Sequence, residues 1–215
     1  MIVAEVREVA EGVRALALRP ADGRPLDPFD AGAHIECEVT LPDGRPAMRA
    51  YSLINAPHEA DAYRIAVANA AGGRGGSAAM HALQLGDRLP VERPRNDFPL
   101  DRHADESLLI AGGIGITPIL AMARALAHVR CGFALHYVGR SRTAMAFADE
   151  AERFEGASVV CDGGDPRNGL RLDELVAAPR FGRHLYVCGP RPLIEAALAA
   201  ARAAGCEQPP RGGPS

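Results

Sequence analysis

The hydrophobic period of this chain changes near residue 103, and that change constrains the fold more than any other feature. Before it, apolar residues recur at strand-like spacing in short segments separated by glycine and proline turns. The predicted strands are residues 13–18, 34–39, 48–53, 63–68 and 87–91. Short strands at this spacing are typical of a small antiparallel β-barrel. One short helix over residues 77–83, with Ser77 as its N-cap, is expected to interrupt the barrel.

After residue 103, short apolar strands alternate with helical segments. Strands are predicted at residues 108–111, 133–138, 158–160 and 184–188, and helices at 118–127, 144–154, 172–176 and 192–203. This alternation predicts a doubly wound parallel sheet. The fold class is therefore β followed by α/β, with a barrel domain at residues 1–103 and an α/β domain at 104–204. Residues 205–215 are rich in proline and glycine and are predicted to form a disordered tail.

The basic residues exclude several functions. All 24 are arginine, so the chain has no lysine for a Walker A phosphate loop or a pyridoxal phosphate Schiff base. A formal net charge of -3 indicates no nucleic-acid partner. The longest apolar run covers residues 108–123, and it is shorter than the roughly 20 residues that a membrane-spanning helix needs. We therefore expect no membrane partner.

The cysteines and histidines predict no metal site. None of the five cysteines forms a C-x-x-C pair, and the seven histidines show no ligand spacing. An odd number of cysteines and no signal peptide indicate a reducing, cytoplasmic location.

Three short motifs carry the functional prediction through their order and separation. They are Arg49-Ala50-Tyr51-Ser52, Gly112-Gly113-Ile114-Gly115-Ile116-Thr117-Pro118 and Cys188-Gly189-Pro190. In this order they resemble the flavin- and nicotinamide-binding module of the ferredoxin–NADP reductase superfamily. Two further segments, residues 72–77 (G-G-R-G-G-S) and 94–100 (P-R-N-D-F-P-L), resemble its phthalate dioxygenase reductase-like branch, which includes the vanillate demethylase reductases.

The resemblance implies that the barrel binds a flavin along the strand that carries Arg49. Arg49 would favour negative charge on the cofactor, Tyr51 would pack on the flavin or its ribityl chain, and Ser52 would hydrogen-bond near N5. The loop that carries Arg74, Gly75, Gly76 and Ser77 would hold the flavin phosphate, because glycine-rich loops before a helix let backbone N–H groups approach an anion.

FMN is favoured over FAD, because we find no aromatic side chain placed to stack on an adenine. Relatives often carry a basic residue just after the strand at residues 63–67, where this chain has Ala68 and Asn69. The positive charge at the phosphate would therefore come mainly from Arg74.

The resemblance assigns the second motif and the third to the nicotinamide. Gly112, Gly113, Gly115 and Pro118 would form a tight turn that approaches the pyrophosphate, and Thr117 would donate a hydrogen bond towards the flavin–nicotinamide junction. Cys188, followed by Gly189 and Pro190, would lie beside the reactive carbon of the nicotinamide without acting as a nucleophile. The residues assigned to catalysis are thus Ser52, Thr117 and Cys188.

Two arginines address the choice of dinucleotide. Arg140 and Arg142 follow the second strand of the α/β half, where relatives contact the adenosine ribose. Two arginines there could hold the 2′-phosphate of NADPH. A similar Arg-Ser pair occurs in relatives that use NADH, so NADH is favoured and NADPH is the alternative.

The resemblance implies an NAD(P)H-dependent flavin reductase. It would accept a hydride from NADH and pass electrons to a separate ferredoxin or Rieske-type oxygenase component. The chain lacks the C-x4-C-x2-C signature of a plant-type [2Fe–2S] domain, so no iron–sulfur cluster is expected in it. Two alternatives stay open. One is the electron-transfer subunit of a larger complex, resembling that of dihydroorotate dehydrogenase; the other is a non-catalytic module that has lost its flavin.

Overall fold

The computed structural model describes residues 1–69, 72–177 and 182–206. The first half contains strands β1 (Ile2–Ala10), β2 (Val13–Arg19), β3 (His34–Thr40), β4 (Pro46–Ser52) and β5 (Tyr63–Ala68), followed by helix α1 (Gly76–Ala82). The second half contains β6 (Glu106–Gly112), α2 (Ile116–His128), β7 (Phe133–Gly139), α3 (Ala148–Ala151), β8 (Ser158–Cys161), α4 (Leu172–Val176), β9 (Arg183–Cys188) and α5 (Arg191–Ala203). The predicted change from antiparallel strands to alternating strands and helices is confirmed.

The barrel half consists of two antiparallel sheets, β1–β2–β5 and β3–β4, around a common apolar core. Residues 88–95, which follow α1, close the barrel through isolated bridges that pair Ile2 with Arg88, Cys37 with Val91 and His34 with Arg95. The prediction of a regular strand at residues 87–91 is therefore wrong. Pro90 has no N–H to donate, which prevents a continuous hydrogen-bonded ladder there.

The second half is a four-stranded parallel sheet in the order β8–β7–β6–β9. Side chains of α2 and α3 pack in the core on one face, and those of α4 and α5 pack in the core on the other. The predicted doubly wound arrangement is confirmed. Because β6 lies between β7 and β9, the strand order reverses at β6, and ligands bind beside the carboxyl ends of the strands at such a point.

Two local predictions are wrong. Helix α1 begins one residue earlier than expected, and its N-cap is Gly75 rather than Ser77. Gly75 has a φ of 87°, a left-handed conformation that glycine adopts without steric cost. The helix predicted at residues 144–154 is α-helical only at Ala148–Ala151, because Phe147 has a φ of 59° and separates it from the short 3-10 helix Arg142–Ala144.

One apolar cluster contains residues of both halves. Helix α2 buries most of its length, and Ile54, Ala56 and Ala66 of the barrel half pack in the same cluster as α2. The boundary at residues 103–104 stays a prediction. Of the predicted tail, residues 207–215 lie outside the described part of the chain.

Candidate functional site

Strand β5 brings the predicted cofactor segments together. It contacts strand β4, helix α1 and the turn Gly113–Gly115, which is a short 3-10 helix between β6 and α2. These three segments carry the flavin motif, the phosphate loop and the nicotinamide motif of the sequence analysis. The fold therefore places all three around one strand.

On β4 the flavin motif divides between two faces. In the β3–β4 ladder, Arg49 lies directly opposite Cys37 and Tyr51 lies opposite Ile35. Because Cys37 and Ile35 are buried in the core, the side chains of Arg49 and Tyr51 lie on the core face of β4. Ser52 lies on the opposite face. Burial raises the pKa of the Tyr51 phenol to about 12, which keeps it neutral at physiological pH.

The phosphate loop packs directly against Arg49. A Cβ added at Gly76 would lie 2.4 Å from Arg49 Nε, and one added at Gly75 would lie 2.4 Å from Pro42 Cδ. Glycine is therefore the residue that fits at both positions. The contact sets the Arg49 guanidinium beside the first turn of α1, while Arg74 is exposed on the same loop and Ser77 is half-buried. A guanidinium next to backbone N–H groups at a helix start fits a phosphate.

The far end of α1 is held by two residues that sequence reasoning missed. Arg14 of β2 donates to the carbonyls of His81 and Leu83, the latter at 3.4 Å. His81 Nε2 donates to the carbonyl of Val67 on β5 at 2.8 Å. Nothing in the local sequence connects position 14 with position 81.

Three glycines allow the carboxyl ends of β6 and β9 to meet. A Cβ at Gly115 would lie 2.3 Å from the Cys188 carbonyl oxygen, and one at Gly189 would lie 2.9 Å from Gly112 Cα. A Cβ at Gly112 would lie 2.5 Å from Leu193 Cδ2. Gly113 differs from them: its φ is 51°, and an added Cβ would meet nothing within 4 Å. The turn is therefore closely packed on one side and open on the other.

The residues assigned to the nicotinamide lie around this turn. Thr117 is 5% exposed, and its hydroxyl donates to the Ile114 carbonyl at 3.1 Å. Pro118 is buried in the first turn of α2, and Pro190 is the N-cap of α5. Burial raises the pKa of the half-buried Cys188 thiol, which disfavours the thiolate and any nucleophilic role.

Tyr137 supports the turn and was not predicted. Its side chain is fully buried on β7, and its hydroxyl donates to the Gly113 carbonyl at 3.1 Å. The sequence shows only a tyrosine in an alternating strand. Its partner becomes visible only when β7 is placed beside β6.

The structure gives the two candidate ribose arginines different surroundings. Arg142 forms ion pairs with Asp149 and Glu152, the latter with Nη2 and Oε2 at 2.7 Å. Arg140 is exposed, and its Nε lies 3.4 Å from the position that a Cβ on Gly164 would take. The charged Arg142 guanidinium is therefore already paired with two carboxylates of the protein.

The described part of the chain offers neither a grouped metal site nor a membrane-spanning helix. Across residues 1–69, 72–177 and 182–206, no three or more histidine, cysteine, aspartate or glutamate side chains are grouped to hold a metal ion. In that same part of the chain, no helix combines the length and apolar character needed to cross a membrane.

The comparison with known families decides the class of the barrel half. Residues 2–99 match the family described as the oxidoreductase FAD-binding domain. The barrel half is a flavin-binding oxidoreductase domain. The predicted resemblance to the phthalate dioxygenase reductase-like branch is confirmed by the relatives of the whole chain.

Two curated relatives and one solved structure illustrate this similarity. The chain is 43% identical over 194 residues to a vanillate O-demethylase oxidoreductase of Pseudomonas sp. strain HR199, an alignment of 88% of this chain and 60% of the relative. It is 41% identical over 196 residues to a phthalate 4,5-dioxygenase oxygenase reductase subunit of Pseudomonas putida, covering 89% of this chain and 59% of the relative. The structure of phthalate dioxygenase reductase superposes with a TM-score of 0.87 at 35% identity, covering 94% of this chain and 63% of that one. The chain thus spans about 60% of the length of the curated relatives that it matches.

Proposed function

We propose that this chain is the flavin- and nicotinamide-binding part of an oxygenase reductase. It accepts a hydride from NADH and passes electrons to a separate iron–sulfur protein or Rieske-type oxygenase component. The observation that carries this proposal is the convergence of the flavin strand, the phosphate helix and the nicotinamide turn on β5. The similarity to phthalate dioxygenase reductase, which transfers electrons from pyridine nucleotides to a [2Fe–2S] centre, supports it.

The protein's contribution is binding and orientation. A flavin held here would supply the redox chemistry: it would accept a hydride, which is a proton and two electrons, and release the two electrons one at a time with loss of the proton. Arg49 stabilises negative charge on the cofactor, and its contact with Gly76 aligns it with the phosphate-binding turn of α1. Tyr51 offers a neutral ring for packing, and Ser52 offers a hydroxyl for a ring nitrogen.

The aromatic side chains favour FMN. Phe29 with Tyr63, Phe98 with Tyr186, and Phe133 with Phe154 form ring pairs within the protein. Of the remaining aromatic residues in the described ranges, Tyr137 is fully buried and Phe147 lines a cleft between the halves. Tyr51 is assigned to the flavin itself. Among the described residues, the lining of the Phe147 cleft contains none from β4 or from the loop at residues 72–77, so Phe147 is not placed to stack on an adenine beside the flavin strand.

The nicotinamide side is built from the open face of the glycine turn. Gly113 leaves space for the pyrophosphate, while Thr117 and Cys188 shape the place of the nicotinamide ring. The neutral Cys188 thiol fits a positioning role. Because Arg142 is paired with two carboxylates, we propose NADH rather than NADPH as the donor.

Absorbance spectroscopy of the purified protein tests the proposed function. We expect a yellow protein that releases FMN and is bleached rapidly under anaerobic conditions by NADH but slowly by NADPH. Bleaching with FAD as the released cofactor would favour the alternative of an electron-transfer subunit. A protein that takes up neither flavin would be a non-catalytic module, and the proposal would then be wrong.

A pair of variants tests the choice of dinucleotide. Asp149→Asn with Glu152→Gln removes both partners of Arg142, so we expect the ratio of kcat/KM for NADPH to that for NADH to rise about tenfold, since one charge-assisted contact to a phosphate is worth ~1.5 kcal/mol or more. Asp173→Asn with Glu174→Gln, on the exposed face of α4, makes the same change in net charge and serves as the control. An equal rise in both variants would show a general charge effect instead.

A further inference from the structure

Arg124, in the middle of α2, connects the two halves through several polar contacts. Its side chain is 20% exposed. Nη1 donates to the Ile54 carbonyl at 3.3 Å and lies 3.2 Å from Glu59 Oε2, and Nε donates to Glu150 Oε1 at 2.7 Å. We propose that Arg124 is a positioning residue that sets the flavin strand relative to the nicotinamide turn. This inference rests on the proposed function.

On the barrel side, Arg124 bonds to the segment 54–59, which is held in place by several hydrogen bonds. The Ile54 carbonyl is two residues beyond Ser52, the end of the flavin strand. Asn55 is 1% exposed, donates to the carbonyls of Glu59 and Ala62 at 2.9 and 3.0 Å, and accepts from the backbone N–H of Arg64 at 3.0 Å. A displacement of this segment therefore moves the end of β4 with it.

Glu59 accepts hydrogen bonds from both its own segment and Arg124. Its Oε2 atom accepts the backbone N–H of Ala56 at 2.9 Å and also faces Arg124. The barrel side of the contact is thus a carbonyl and a carboxylate that are both already fixed in place. A guanidinium can bond to both at once, whereas an ammonium is a compact donor on a flexible stem.

On the other side, Arg124 is connected to Thr117 through helix α2. The two residues are seven positions apart on one helix, which is about two turns or ~10.5 Å, so they lie on the same face. The helix between them is almost fully buried, which makes it a rigid spacer. One side chain thereby links the end of the flavin strand to the helix that carries the nicotinamide turn.

The link matters because hydride transfer depends steeply on the distance between donor and acceptor. A misplacement of ~1 Å can cost about a hundredfold in rate. Arg124 bonds to Ile54, Glu59 and Glu150 rather than to the glycine turn or β4, so it acts through Ile54 and α2. Its loss is expected to slow the reduction step more than it weakens the binding of either cofactor.

The surroundings of Arg124 allow a rescue experiment. A cleft of about 370 Å³ between the halves is lined by Arg124, Ile54, Glu59 and Phe147. Truncation of the arginine would remove this donor from Glu59 and Ile54, which line the cleft, and from Glu150. A small alkylguanidinium ion can enter the cleft and supply the missing donors.

Single-turnover reduction of the flavin-loaded protein by NADH tests the proposal in Arg124→Ala and Arg124→Lys. For Arg124→Ala we expect the limiting rate of reduction to fall at least tenfold, with the dissociation constants of flavin and NADH within about twofold of wild type. Millimolar ethylguanidinium should restore part of the rate, and Arg124→Lys should be intermediate. Arg102→Ala is the control, because it also removes an arginine from an ion pair, but the pair, with Asp30 at 3.3 Å, is exposed and lies within the barrel half.

A second readout does not depend on the reaction. In flavin-free protein, hydrogen exchange of the backbone amides at residues 53–59 should be faster in Arg124→Ala than in wild type and unchanged in Arg102→Ala. Wild-type reduction rates in Arg124→Ala, or a loss that ethylguanidinium does not restore and that is matched by weaker flavin binding, would overturn the proposal. If NADH does not reduce even the wild-type flavin, the proposed function fails, and unchanged exchange at residues 53–59 would overturn the mechanical link as well.

Discussion

At the residue scale, the proposed nicotinamide turn depends on glycines, because a Cβ at three of its positions would not fit. Gly112, Gly115 and Gly189 each lie where a Cβ would overlap a neighbouring atom. Their role is to let the ends of β6 and β9 touch, which places the backbone of Cys188 against the start of α2. Gly113 has the opposite role, since it faces open space in a left-handed conformation.

The first prediction concerns Gly115→Ala. The new Cβ would lie 2.3 Å from the Cys188 carbonyl oxygen, so the strand ends must separate. We expect the free energy of unfolding to fall by about 1–3 kcal/mol and the affinity for NADH to decrease. Denaturant unfolding and NADH titration measure both. In Gly132→Ala, where the nearest atom is 3.9 Å away, stability should not fall; a comparable loss in both variants would contradict the packing argument.

The second prediction concerns the buried thiol of Cys37. Burial raises its pKa from 9.0 to about 12, so the folded state keeps its proton over a range where the unfolded chain has lost it. The stability from this group is complete below pH 9 and is lost as pH rises from about 9 to 12. Unfolding free energies measured across that range should fall less steeply in Cys37→Ala than in wild type. Identical slopes in the two proteins would rule out Cys37 as a contributor.

At the scale of elements, α1 is too short to be stable alone. It has seven residues, and isolated helices shorter than ~12 residues are marginal in water. The fold holds its first turn with Gly75 and Gly76 against Pro42 and Arg49, and its last turn with Arg14. The position of the proposed phosphate-binding turn therefore depends on contacts at both ends of the helix.

The third prediction follows for Arg14→Gln. Loss of the charged donor to the last carbonyls of α1 should let the helix fray and weaken flavin binding about tenfold, because a charge-assisted hydrogen bond is worth ~1.5–3 kcal/mol. Fluorescence titration of flavin-free protein with FMN measures this. Arg45→Gln, which removes an exposed pair with Asp43, is the control and should bind FMN as wild type does. Unchanged affinity in Arg14→Gln would show that α1 is held by packing alone.

At the scale of the whole molecule, the two halves are joined by apolar packing as well as by Arg124. Ile54 and Ala56 of the barrel half are 3% and 0% exposed because α2 covers them. A chain cut at residue 103 would expose these side chains to water. The proposed cofactor site is therefore formed by halves that stabilise each other.

The fourth prediction is that the protein unfolds in a single transition. Urea denaturation followed by far-ultraviolet circular dichroism and by flavin release should give coincident curves, because the shared core couples the halves. A fragment of residues 1–103 should be less stable than the same residues within the full chain. Two separated transitions, or a fragment as stable as the full chain, would contradict this coupling.

The sequence by itself determined the class of fold and the places of the cofactor motifs. Strand and helix periods, glycine turns and motif order depend on residues near one another in the chain, so β2, β5, β7 and α4 were predicted within a residue of their observed bounds. Strand β1 was missed because two register shifts break its alternation. The membership of the flavin-binding family could likewise be recognised from short motifs and confirmed by comparison.

The tertiary structure alone decided which side chains meet. Three such contacts were not predictable from spacing along the chain. They are the ion pairs of Arg142 with Asp149 and Glu152, the hydrogen bond from Tyr137 to the Gly113 turn, and the hydrogen bond from Arg124 to Ile54. Such contacts depend on how strands and helices are placed in space, and spacing along the chain does not record that placement. The motifs therefore predicted which segments bind the cofactors, and packing determined the surroundings of each one.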